Sequence, residues 1–256
     1  MSSFPTHIQR LIDNGYRFKF GDYIGDAFDI VKQEIGPFAG FTVIFIIAQS
    51  IGSAIPVVGD LAISLFVTPC MMAGLYLYAR RVDERQPREF GTFFDGFQYW
   101  KELIVIAAIE FALFFAFGLL MFLVLGLSTD FILSPENILL SDPSFSGTQT
   151  LLIFALLIPV IYLSVAWAFA PLLVLFEGMR GWEAMEASRQ ILTRSWFSMF
   201  GLMIVSGIIA ALGVLGLVIA LLFTIPVALV IVYTAYRDIV GVERSSQDKI
   251  IDHFVI

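Results

Sequence analysis

Residues 199–236 read MFGLMIVSGIIAALGVLGLVIALLFTIPVALVIVYTAY, 38 positions without one charged side chain. A helix rises about 1.5 Å per residue and bilayer hydrocarbon is about 30 Å thick, so one crossing takes about 20 residues. The stretch is nearly twice that length. Gly213 and Gly216 sit near its middle, where a tight turn divides it into two helices. The same ruler applied outward gives spans at 37–55, 60–79, 103–127, 150–176, 198–214 and 217–236. The chain is therefore an all-α integral membrane protein with six transmembrane helices.

Six crossings also sort the charge. Arg10, Arg17, Lys19 and Lys32 precede the first span, and Arg80, Arg81, Arg85, Arg88 and Lys101 lie between the second and third. Arg180, Arg189 and Arg194 lie between the fourth and fifth, and Arg237, Arg244 and Lys249 follow the sixth. These are all 15 Lys and Arg of the chain, and every one falls on the same side. The opposite loops, 56–60, 128–149 and 213–216, hold none. By the positive-inside rule both termini are cytoplasmic, with 241–256 as a cytoplasmic tail. An odd number of spans scatters the bases, which supports dividing residues 199–236.

The totals agree with this reading and exclude others. Of 256 residues, 59% are hydrophobic and 14% charged, with a mean hydropathy of +0.88. A soluble domain runs at roughly 45–50% apolar and about 25% charged, so soluble enzymes and disordered chains are both excluded. A net charge of -7 and a pI near 4.8 give no basic field for nucleic acid. Cys70 is the only cysteine and reads as a small packing residue, so no intrachain disulfide forms. His7 and His253 read as solvated terminal groups, which leaves no histidine cluster for a metal or haem. The first 35 residues are polar and amphipathic, and the first long apolar run begins near Gly36. That is too late for a signal-peptide core, so the first span reads as an uncleaved anchor.

The chain also matches itself at a constant shift of 157 between residues 24–83 and 181–240. Ala27 meets Ala184, Gln33 meets Gln190, Gly59 meets Gly216, Phe66 meets Phe223, Pro69 meets Pro226, Tyr76 meets Tyr233 and Arg80 meets Arg237. Each copy reads as a cytoplasmic amphipathic helix followed by a hairpin of two spans. Residues 90–177 read as a degenerate third unit, giving one membrane domain over 1–256 built as three hairpins in a parallel internal repeat. The apolar stripes of the three amphipathic helices are Ile24, Ala27, Phe28, Val31 and Ile35; then Phe90, Phe93, Phe94, Phe97 and Trp100; then Trp182, Met185, Ile191, Leu192 and Trp196. Tyr76, Arg80, Trp100, Trp182, Tyr233 and Arg237 fall at the expected cytoplasmic interface.

Prolines 69, 159, 171 and 226 each remove a backbone donor inside a span, and Pro69, Pro171 and Pro226 are the expected helix kinks. Gly36-Pro-Phe-Ala-Gly40, and Gly207 with Ala211, have the small-residue spacing that permits close helix approach. Glu110 stands apart, because it lies about eight residues, roughly 12 Å, beyond Glu102 and deep in the third span. A carboxylate there faces a bundle interior or a wet cavity. It reads either as a titrating or substrate-contacting group, or as a protonated acid bonded to Gln49, Ser164 or Ser206. The outer loop 128–149, with Asp130, Glu136 and Asp142, reads as a solvated connector, or as a vestibule that attracts cations.

No HExxH, GxxxxGK[ST], GxSxG or CxxC pattern occurs, so no catalytic residue, metal site or cofactor is expected. At Trp167-Ala-Phe-Ala-Pro171, Phe176-Glu-Gly178, Trp182-Glu-Ala-Met-Glu-Ala-Ser188, Thr234-Ala-Tyr-Arg-Asp238 and Gln86-Pro-Arg-Glu-Phe-Gly-Thr-Phe-Phe-Asp-Gly-Phe97, the chain resembles a family of uncharacterised six-span inner-membrane proteins of Gram-negative bacteria. It is more distantly similar to the membrane domain of some glycerophosphodiester phosphodiesterases. The resemblance implies an all-helical bacterial inner-membrane protein and carries no catalytic residues. The sequence thus leads to a non-catalytic scaffold or lipid- and envelope-associated module. Its expected partners are membrane lipids and a second copy or another membrane protein. The alternative is a small transporter or exporter that uses Glu110.

Overall fold

The computed structural model describes residues 4–55, 58–126, 147–215 and 220–241. Six of its helical stretches are long and apolar enough to cross a membrane, at Ile35–Ser53, Val58–Asp83, Phe90–Leu123, Thr150–Glu177, Trp196–Val214 and Leu221–Gly241. The apolar stretch at 199–236 does divide, into one helix ending at Leu215 and another beginning at Leu221. Gly213 lies at that closure, where an added Cβ would sit 2.0 Å from Thr224 Oγ1. Gly216, most of the 128–149 loop, His253 and the 241–256 tail beyond Gly241 lie outside the described residues. The chain forms two compact units, Met1–Ala107 with Val165–Ile256, and Ala108–Ser164.

In the first unit, α1 (Thr6–Asn14) and α2 (Phe20–Gln33) precede the spans. A single non-helical residue, Glu34, turns the chain into α3 (Ile35–Ser53). Arg88 pins that corner by donating from Nε to Glu34 Oε1 at 3.0 Å, with Nη2 on the same oxygen. The second span is not one helix. It runs as α4 (Val58–Ala62), a wider π-wound turn (Ile63–Val67) and α5 (Thr68–Asp83), whose first turn holds Pro69. Pro69 has no N–H to give, and the widened turn lies just before it.

Phe90–Tyr99 winds as a 3-10 helix and leads into α6 (Trp100–Gly126). The tighter winding divides the aromatic stripe expected there. Phe93 is fully buried, stacked on Tyr78 at 4.0 Å and on Phe41 at 4.6 Å, while Phe90, Phe94 and Trp100 stay exposed. Two glycines make this packing possible. A Cβ on Gly74 would lie 1.8 Å from Phe93 O, and one on Gly96 2.1 Å from Cys70 O, so α5 and the 3-10 helix touch backbone to backbone. The small-residue positions singled out by spacing do not act this way. Gly36 and Gly207 face open space, and Gly40 meets only the Phe90 ring.

Helix α7 (Gly147–Ala166) ends three residues before α8 (Ala170–Glu177), which carries Pro171 in its first turn. Helices α9 (Gly181–Thr193), α10 (Trp196–Leu215) and α11 (Leu221–Tyr236) follow, with a π-wound turn at Arg237–Gly241. The break before Pro171 leaves backbone groups that hydrocarbon cannot satisfy. Ser188 of α9 closes it, donating to Ala166 O at 2.7 Å and accepting from Phe169 N–H at 3.1 Å. Pro226 lies inside α11, buried, and Pro159 inside α7.

The packing in the first unit is cyclic. Helix α5 lies on the 3-10 helix, α8 on α9, and α11 on α2, while α5 also touches α8 and α11. Each of the three helices α5, α8 and α11 thus packs on an element that precedes a different span. The second unit holds the part of α6 from Ala108 onward, with the greater part of α7. There Phe111 and Phe115 stack at 6.1 Å, and Ser164 bonds back to Val160 O at 2.9 Å.

Candidate functional site

Basic side chains from distant parts of the chain converge at one end of the first unit. Arg237, just past α11, donates from Nη1 to Asp83 Oδ1 at 2.6 Å and from Nη2 to Asp26 of α2. Tyr233 donates its hydroxyl to the other oxygen of Asp83 at 3.1 Å. Beside it, Asp238 accepts from Lys19 Nζ at 2.7 Å and from the Tyr23 hydroxyl at 2.9 Å, while Thr234 Oγ1 donates to Tyr23 O at 2.8 Å. The Tyr23 phenol is pushed well above its ordinary range by burial and by the Asp238 carboxylate it serves. Two residues of one turn, Arg237 and Asp238, therefore fasten the last span to α2 and to α5.

The residues that the sequence assigned to the interface divide into three groups. Tyr76 is buried in α5 and Tyr233 in α11. Arg80 pairs with Glu84, the residue just past the end of its own helix, at 2.7 Å and lies 4.9 Å over the Phe176 ring, so it does not repeat the part of Arg237 although the two align in sequence. Trp100 and Trp182 remain 43% and 64% exposed, on the rim rather than in the network. Phe176 is packed between the rings of Tyr233 and Tyr236, at 6.1 and 5.6 Å.

His7 is not solvated. It is 7% exposed, and its Nε2 lies 3.0 Å from Glu177 Oε2, both side chains being nine-tenths buried. The two atoms lie close together without the geometry of a directed hydrogen bond. The sequence reading missed this because a histidine near a polar terminus carries no local mark of burial. The one available signal was that His7, Ile8 and Leu11 share a helix face.

Glu110, in the second unit, is half-buried, on the helix face that also carries Leu103, Ile106 and Ala107, seven, four and three residues back. It has no hydrogen-bond or ion-pair partner among the described residues. The partners the sequence offered are engaged elsewhere. Gln49 donates to Thr68 Oγ1 at 3.2 Å, Ser164 bonds Val160 O, and Ser206 donates to Ala228 O. Cys70 is buried in α5, and no group of three His, Cys, Asp or Glu side chains among the described residues could hold a metal.

Compared with family models, curated proteins and solved structures, the chain matches none. The family resemblance therefore stands on its quoted motifs alone.

Proposed function

We propose that the chain is a non-catalytic integral protein of the bacterial inner membrane, a scaffold or lipid- and envelope-associated module, with both termini on the cytoplasmic side. Three hairpins, each preceded by a helical segment along the inner leaflet, make up the architecture, and residues 24–83 and 181–240 are parallel copies within it. One observation carries this reading. The charged and hydroxyl groups of the basic end bond mostly to one another across the seams between helices, through Arg237 with Asp26 and Asp83, Lys19 with Asp238, and Arg88 with Glu34. Polar side chains used this way hold helices in place and do not converge on a reacting group. The outward faces are apolar enough to meet lipid directly, as at Phe115, Phe154 and Phe197. Membrane lipid and another membrane protein, or a second copy, are the partners this surface suits.

Glu110 favours a second reading, a small transporter or exporter, because it has no partner among the described residues and shares a face with buried side chains. A thiol-accessibility scan of the spans in native membranes, after replacement of Cys70, separates the two. Labelling confined to loops supports the module. A continuous water-accessible stripe through position 110 overturns it in favour of transport.

A further inference from the structure

We propose that the join between the starts of α6 and α9 is a headgroup site for an anionic phospholipid. Lys101 and Arg180 meet the phosphate there, and Trp100 and Trp182 set its depth. The inference rests on the membrane reading above, with this end of the protein at the inner leaflet. One close contact builds the join. Gly181 N–H donates to Glu102 Oε2 at 2.7 Å, and a Cβ on Gly181 would stand 2.7 Å from Glu102 O and 3.0 Å from Val105 Cβ. Trp100 and Lys101 lead into Glu102, while Arg180 and Trp182 flank Gly181. Two segments 79 residues apart thus bring two bases and two tryptophans to one place.

The fold leaves all four side chains exposed. Elsewhere bases pair with carboxylates inside the fold, as Arg81 does with Asp95 and Arg189 with Glu186. Lys101 and Arg180 have no acidic partner among the described residues, and Lys101 Nζ instead lies 5.9 Å over the Trp100 ring. The neighbouring acids are otherwise placed. Glu102 is turned onto the Gly181 amide, and Glu183 stands in the first turn of α9, where the helix dipole balances a negative charge. An incoming anion therefore meets two bases whose charge no described carboxylate has taken up. Indoles settle at the level of lipid headgroups, and long basic side chains run along apolar surface to the same level. That combination fits a lipid phosphate better than a soluble anion.

Tryptophan quenching tests this in the full chain reconstituted in bilayers. Brominated acyl chains are carried either by phosphatidylglycerol in a phosphatidylcholine host or by phosphatidylcholine in a phosphatidylglycerol host. At about fivefold per base near the surface, the wild type should favour phosphatidylglycerol on the order of tenfold, and Lys101→Gln/Arg180→Gln should abolish the preference. Lys101→Arg/Arg180→Lys should keep it. Lys32→Gln/Arg85→Gln removes the same charge from two exposed bases with no tryptophan next to them in sequence, and should also keep it. No preference in the wild type, or an equal loss in Lys32→Gln/Arg85→Gln, overturns the site. The orientation it rests on fails separately. Labelling of Lys101→Cys or Arg180→Cys from the outer side of intact cells by an impermeant thiol reagent, in the chain with Cys70 replaced, overturns that orientation whatever the lipid preference.

Discussion

The seam between α5 and the 3-10 helix and the seam between α11 and α2 join similar partners with a different balance of means. At the first, Gly74 and Gly96 remove side chains so that backbones touch, and Arg81 of α5 adds one charged link to Asp95 and Thr92 of the 3-10 helix. At the second, Arg237, Asp238 and Tyr23 bridge the helices with charge and hydroxyl groups. The glycine contact of the first is short-range and steric, with no tolerance for an added methyl. The second acts through longer, partly solvated side chains and can yield gradually. A protein can thus close one ring with joints of very different stiffness.

The contrast predicts a ranking. Gly74→Val should have the largest effect, because its Cβ would fall 1.8 Å from Phe93 O and neither backbone can give way. Loss of monodisperse protein in detergent is the expected result, and a well-folded variant would break the steric account. Ser188→Ala comes next. It leaves Phe169 N–H and Ala166 O buried without their bonds, at a cost of about 1–3 kcal/mol in thermal or denaturant unfolding. Arg237→Gln should cost about 1–2 kcal/mol, since the guanidinium is about a third exposed and its pairs are partly screened. High salt should reduce the wild-type advantage over Arg237→Gln and leave the Gly74 effect unchanged. If Arg237→Gln proves as damaging as Gly74→Val, the two seams do not differ as argued.

A smaller effect sharpens the same comparison from the alkaline side. The folded state holds the Tyr23 phenol above its ordinary range, so its contribution is complete below about pH 10 and is lost as pH rises toward the folded value. Alkaline loosening of α2, followed by proteolysis, should diminish in Tyr23→Phe. Lys19→Ala should be smallest, about 0.5 kcal/mol or less, because its side chain is largely solvated.

The six spans were legible because lipid imposes length and apolarity on every crossing, whatever the neighbours. Other features depended on neighbours and were not legible. Small-residue spacing pointed to Gly36, Gly40 and Gly207, yet close approach occurs at Gly74 and Gly96, which lie in separate segments and gain meaning only together. Ser188 reads as an ordinary helix-surface hydroxyl until the break before Pro171 is set against it. The Arg237 network was half visible. Arg237 and Tyr233 were singled out from the repeat and the interface, but their anchors Asp26 and Asp83 are 211 and 154 residues away in sequence. No local pattern couples positions so distant.

That separation matters during synthesis. Helix α2 emerges early with Tyr23, Ala27, Ile30 and Val31 destined for burial, whereas the helix it meets there, α11, ends about two hundred residues later. At roughly 5–20 residues per second, the ribosome takes on the order of 10–40 s to deliver it. During that interval α2 has only its smaller contacts with α3 and α5, and most of its apolar face is uncovered. Insertion of the final span is therefore also the event that completes the beginning of the protein.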